Sequence, residues 1–312
     1  MDVKFYKSLN KLSKNFSQKI TKIKKALILF DENVDGLSSA LIFLEYLKNK
    51  LDVEIKIYRR NNLEQINGYD LAIVLDIPLT KEKLSMIKTI KNVFWFDDQK
   101  PKTFTFQKSI VINSHLFKLP LPTSSLCYFF FKNLNLNRTI IFLSHLGSYS
   151  EFYKIEKIKK RFKNYFNSEN LDNVINSLHF FLRKTKEKEI EKFLEKAKSK
   201  EIQSLLLREA EKYFPKVKKI YKKLKKRSII EKFEFGITRI AANYLFEKLN
   251  KPIIVSSKGK KLEITIRAPQ KFIEQIKINE LEDYEFFMTG AEIITTKENY
   301  NKIKKQLRNV SK

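Results

Sequence analysis

Ala26-Leu27-Ile28-Leu29-Phe30-Asp31-Glu32-Asn33-Val34-Asp35-Gly36 is the stretch that decides the fold. Its unbroken apolar run reads as a strand buried on both faces, the kind found in parallel sheets. The acids mark the end of that strand. Beyond Gly36 the period changes, and Ala40, Leu41, Leu44 and Leu47 fall on one side of a helix. The same pattern of an apolar run closed by acid returns twice. Leu71 to Leu75 ends at Asp76, and Val93 to Phe96 ends at Asp97-Asp98-Gln99. Val53 to Tyr58, Ile110 to Ile112 and Ile140 to Leu143 read as further strands, with helices around Ile87 to Ile90 and Ser125 to Leu134. Strand alternating with helix predicts a parallel sheet covered on both faces. In such sheets ligands collect beyond the carboxyl ends of the strands. Asp31, Asp76 and Asp97 all fall there.

Around this core the chain is strongly basic. Sixty-three Lys+Arg against 35 Asp+Glu give a net charge of +28 over 312 residues. An excess of that size opposes compaction and favours a polyanionic partner, with nucleic acid the leading candidate. Hydrophobic residues at 43% and aromatics at 13% describe a globular chain rather than a disordered one. Its single cysteine, Cys127, excludes an internal disulfide and a thiolate zinc cluster, and its apolar surroundings read as a buried small hydrophobe. No apolar stretch approaches the roughly 20 residues of a membrane span, and the charged start lacks a secretory apolar region, so the expectation is a cytoplasmic protein.

Toward the start, Phe5, Leu9, Leu12, Phe16 and Ile20 form one apolar helix face with lysines on the others. Residues 151–227 read as charged helices, with Pro215 breaking the pattern. Lys216 to Arg227 then places Val217, Ile220, Tyr221 and Leu224 on one face among Lys219, Lys222, Lys223, Lys226 and Arg227. These basic residues are candidate contacts to a nucleic-acid backbone. Residues 228–312 read as a smaller mixed region, with a helix near Ile237 to Leu249, strands at Ile253 to Val255 and Leu262 to Ile266, and a closing helix near Tyr300 to Leu307.

The ordered segments Asp31 to Gly36, Leu75-Asp76, Phe96 to Gln99 and His145-Leu146-Gly147-Ser148 resemble the motifs of the DHH phosphoesterase family, which includes RecJ-type exonucleases. The resemblance covers nearly the whole chain. It implies an α/β fold in which a parallel-sheet DHH domain (1–150) is joined by a helical connector (151–227) to a smaller α/β DHH-associated domain (228–312). It also implies a divalent-metal site at Asp31, Asp35, Asp76 and Asp97, with Asp98 beside them. Two ions about 3.5–4 Å apart would activate water and neutralise phosphoryl charge. Mn²⁺ or Mg²⁺ would suit those oxygen donors. His115-Leu116 and Pro122-Thr123-Ser124-Ser125 are similar to archaeal RecJ-like proteins.

The departures from the family pattern fall on charged or strongly donating positions. Asn33 stands where the first motif alternates aspartates, Asp98 and Gln99 stand for two histidines, and Ser148 stands for the aspartate of the fourth motif. In the associated domain, Arg267 matches a phosphate-contacting arginine. Asp283 to Gly290 stands where a glycine-rich substrate loop is expected, and only Gly290 is kept. The expectation is therefore that no cofactor is held, unless Mn²⁺ or Mg²⁺ remains with residual activity. The resemblance implies a catalytically silent, DNA-binding scaffold joined to GINS and through it to the MCM helicase. Single-stranded DNA, or RNA, would be its nucleic acid. The other expectation is a working Mn²⁺-dependent single-strand exonuclease or oligonucleotide phosphodiesterase.

Overall fold

Nearly all of β1 (Lys25–Asp31) is buried, as its apolar run requires. The computed structural model describes residues 3–59, 65–99, 109–114, 121–134, 137–151, 168–224, 229–249, 251–259, 261–268, 284–287 and 290–310. The chain divides into two units, Met1–Phe166 with Lys186–Arg208, and Asn167–Thr185 with Glu209–Lys312.

In the first unit, β1, β2 (Asp52–Tyr58), β3 (Leu71–Leu75), β4 (Asn92–Asp97) and β5 (Ser109–Asn113) form a parallel sheet of order β2-β1-β3-β4-β5. That order reverses direction between β1 and β3, which opens a crevice at their carboxyl ends. Of the helices, α1 (Val3–Ile20) sets Phe5, Leu9, Phe16 and Ile20 into the core, as its period predicts. The Phe16 ring meets Phe43, Phe94, Phe130 and Phe131 edge to face, with centroids 4.9–6.1 Å apart. From β4, the buried indole of Trp95 donates its N–H to the Ile77 carbonyl at 2.7 Å. Helices α2 (Val34–Leu47), α3 (Lys81–Met86), α4 (Thr123–Phe131), α5 (Arg138–Ser150) and α7 (Glu187–Ser199) complete this unit. Cys127 is buried within α4.

Ile140 to Leu143 is a turn of α5 rather than the strand expected from its apolar run. The side-chain oxygen of Asn137 caps the helix by accepting from Ile140 N at 3.0 Å, and Ile141 faces solvent while Ile140 and Leu143 are buried. A four-residue apolar run carries no period of its own, so the cap decides.

In the second unit, α6 (Ser168–Lys184) and the later part of α8 (Ile202–Lys223) accompany β6 (Ile229–Phe233), α9 (Thr238–Leu249), β7 (Ile253–Ser257), β8 (Lys261–Arg267), β9 (Tyr284–Phe287), β10 (Gly290–Thr296) and α10 (Lys297–Val310). The sheet order is β6-β7-β8-β10-β9, antiparallel except for β6 beside β7. Its core gathers Ile254, Ile264, Ile266, Ala291, Ile293, Tyr300 and Ile303. Pro215 does not end a helix: it lies inside α8, on the exposed side. The helical break falls instead at Lys200, whose extended backbone closes α7. Within the stretch expected as a loop, Tyr284–Phe287 forms β9 and Gly290 opens β10, opposite Arg267 of β8. Asp283, His115, Leu116, Lys226 and Arg227 lie outside the described residues.

Candidate functional site

The crevice at the β1/β3 reversal is where the acids meet. Asp31 ends β1, Asp76 follows β3 and Asp97 ends β4, and all three are buried. Asp76 has a left-handed backbone (φ 60°), uncommon for a residue with a side chain, while its N–H continues the ladder to the Phe96 carbonyl at 2.9 Å. Asp35 reaches the crevice from the first turn of α2. Oxygens of Asp35, Asp76 and the partly exposed Asp98 lie within 4.8 Å of one another.

Protein donors already engage these acids. Asp35 accepts from Thr123 N at 2.8 Å with one oxygen and from Ser124 N at 3.1 Å with the other. It thereby caps α4, whose own N-cap, Pro122, offers no side-chain bond. Asp76 accepts from the Thr123 hydroxyl at 2.8 Å with one oxygen and from the Asn33 amide at 2.6 Å with the other. Asn33 also donates to Asp31 at 2.7 Å and accepts from Gly36 N at 2.7 Å. Asn33 is therefore the cap of α2. Asp97 accepts from Gln99 N at 3.2 Å, so the residue in the second histidine position contributes a backbone bond to the site.

Close approach of α5 builds the far wall. A Cβ on Gly147 would lie 2.5 Å from both Asp35 Oδ1 and Ser124 Oγ, so only glycine fits there. Next to it, Ser148 shares hydrogen bonds with Ser125 at 2.6 Å and the Ser144 carbonyl at 2.7 Å. A web of hydroxyls thus fills the place where the resemblance puts an aspartate. One residue of the site escapes the sequence reading: Glu151, buried at the end of α5. Its spacing from Gly147 and Ser148 would place it on this face once α5 is recognised as a helix.

Burial and mutual repulsion dominate the electrostatics. Burial first, and then the neighbouring Glu151, push the Asp35 carboxyl up to about 7. Asp76 rises well above the usual carboxylate range through burial and then Asp35, Asp98, Asp31 and Glu151. Asp98 rises for the same reasons, with Asp35 its strongest charged neighbour. Three converging carboxylates can hold one hard divalent cation, which would relieve this repulsion. A two-ion centre does not fit. Asn33 turns its N–H groups, not lone pairs, toward Asp31 and Asp76; Ser148 is committed to other hydroxyls and a carbonyl; and no imidazole stands in the triplet.

Against solved structures, the chain aligns with RecJ from Thermus thermophilus in complex with Mn²⁺ at a TM-score of 0.63 and 13% identity, covering 97% of this chain and 54% of that one. With the DHH domain of a protein assigned to a family of ribosomal proteins, the TM-score is 0.64 at 12% identity, covering 98% of this chain and 90% of that one. The fold is that of RecJ-type DHH proteins. An exopolyphosphatase-related protein from Bacteroides fragilis shares it at TM-score 0.53 and 12% identity, with 96% of each chain covered. The chain spans about half the length of the Thermus RecJ, whose structures were determined with Mn²⁺ and with Mg²⁺. No protein-family profile and no curated protein matches the sequence.

The second unit holds the remaining candidates. Lys219, Lys222 and Lys223 are exposed on α8. Arg267 is fully buried, with its Nε donating to Asn243 at 2.6 Å, and Gly290 faces it across the β8–β10 ladder. Nearby, Arg183 pairs with Glu263 at 3.0 Å, and Glu263 also accepts from Gly236 N at 2.6 Å. The ring of His179 is buried, and burial followed by Arg239, Arg183 and Arg267 holds it well below the usual histidine range, so it is neutral. Among the described residues, no helix is long and apolar enough to cross a membrane.

Proposed function

We propose that this protein is a catalytically silent RecJ-type scaffold that binds nucleic acid. The observation that carries the reading is the use of Asp35, both of whose oxygens cap α4 through Thr123 N and Ser124 N. An acid with that duty is kept by folding, whether or not the crevice does chemistry. The substitutions at Asn33, Gln99 and Ser148 act in the same direction, since each removes a charged or imidazole donor.

The net charge of +28 supports a polyanionic partner. We assign backbone contacts to Lys219, Lys222 and Lys223, which stand in a run without any acid from Lys212 to Ile230. Arg267, inside the fold, is given a structural part. The resemblance to silent archaeal RecJ relatives makes GINS, and through it MCM, the proposed protein partner, with single-stranded DNA, or RNA, as the strand held and the cytoplasm as the place.

A second reading, a Mn²⁺-dependent exonuclease or oligonucleotide phosphodiesterase, has one observation in its favour, the convergence of Asp35, Asp76 and Asp98. Labelled single-stranded DNA or RNA incubated with the protein and Mn²⁺ separates the two. The scaffold reading expects no nucleotide release. Release that vanishes in Asp76→Ala would establish the enzyme instead. Co-purification of GINS from cells expressing tagged protein tests the partner.

A further inference from the structure

The two-ion arrangement implied by the fold disagrees with this crevice, and Asn33 is the centre of that disagreement. Its side chain is bonded at three points. The oxygen accepts from Gly36 N, and the nitrogen donates to Asp31 Oδ2 at 2.7 Å and Asp76 Oδ2 at 2.6 Å. Gly36 N can only donate, so the amide oxygen must face it and the nitrogen must face the two acids, which leaves the amide one consistent orientation. An aspartate in the same rotamer would bring three carboxylate oxygens together, and only a cation or a proton could hold them there. The amide removes that demand, because it carries no charge and presents two N–H groups to the same two acids.

We propose that Asn33 is a built-in stopper: its amide occupies the position between Asp31 and Asp76 that a divalent cation would take, and it holds the crevice closed there without metal. The Asp35–Asp76–Asp98 position stays open to a single ion. This goes further than the loss of a ligand. A lost ligand weakens an ion's hold, whereas a stopper must be removed before the ion can enter at all. The inference rests on the silent-scaffold reading only in placing the acids at a former metal crevice.

Two substitutions separate a stopper from a missing charge. Asn33→Ser keeps a capping oxygen for α2 and adds no charge, but withdraws the amide from Asp31 and Asp76. Asn33→Asp withdraws the donors and restores a carboxylate. Mn²⁺ binding is counted by calorimetric titration and by electron paramagnetic resonance of the bound ion, with circular dichroism confirming the fold. The stopper predicts no more than one Mn²⁺ in the wild type and one additional ion in both variants, held more tightly in Asn33→Asp. Equal counts in the wild type and Asn33→Ser would overturn it, as would two ions in the wild type. Nuclease activity of the wild type would end the scaffold reading and leave the ion count to decide the stopper by itself.

Discussion

Asp35 carries two backbone amides at the start of α4, and this makes its removal informative. At about pH 5 its carboxyl holds its proton, since burial and Glu151 raise it to about 7, so charge repulsion is largely absent. Asp35→Ala then strips the acceptors from Thr123 N and Ser124 N and is expected to cost about 1–3 kcal/mol in urea unfolding without divalent ions. Unchanged or increased stability would show that α4 does not depend on this carboxylate. Gly147→Ala places a methyl group against Asp35 and Ser124. Its expected cost is also about 1–3 kcal/mol, read in the same unfolding experiment, because two buried and hydrogen-bonded side chains must give way. At this scale the acids themselves are legible from sequence, each following an apolar run. Their capping duties are not, because Asp35 and Thr123 lie far apart in the chain.

Helix α8 contains Pro215, which lacks the N–H for one helical bond and crowds the preceding turn. The position is exposed, so Pro215→Ala is expected to stabilise the second unit by about 1–3 kcal/mol in thermal or urea unfolding. A loss of stability would mean that the proline's shape is needed there. Elements with an unambiguous pattern are legible from sequence: α1 by its helical period, and the strands β1, β3 and β4 by apolar runs closed by acids. Others escape, each for its own reason. Pro215 reads as a break, but buried Tyr213, Val217 and Ile220 hold the helix together around it. Ile140 to Leu143 reads as a strand because its run is too short to show a period. That reading hides Glu151, further along the same helix.

Taken whole, the molecule should respond to pH in opposite senses in its two units. Asp35 has a raised folded value, so its contribution is fully present below pH 3.8 and is lost as pH climbs toward about 7. His179 has a depressed folded value, so its contribution is present above pH 6.5 and is lost as pH falls below it. Differential scanning calorimetry between about pH 4 and pH 8 should therefore show the first unit favoured by acid and the second by base. His179→Gln is expected to flatten the acid side of the second transition, and an unaltered profile would remove the histidine from the account. The basic surface gives a further expectation. Reversing Lys219, Lys222 and Lys223 to glutamate should reduce the slope of log K against log salt for single-stranded DNA by at least about 2. An unchanged slope would place the strand elsewhere.

The sequence contains one tryptophan, and that ring is buried on β4 of the first sheet with its N–H bound to Ile77. Excited selectively, the indole should therefore emit as a blue-shifted reporter of the Met1–Phe166 unit alone. Melting of the Glu209–Lys312 portion, which has only tyrosine and phenylalanine, would leave that emission maximum in place.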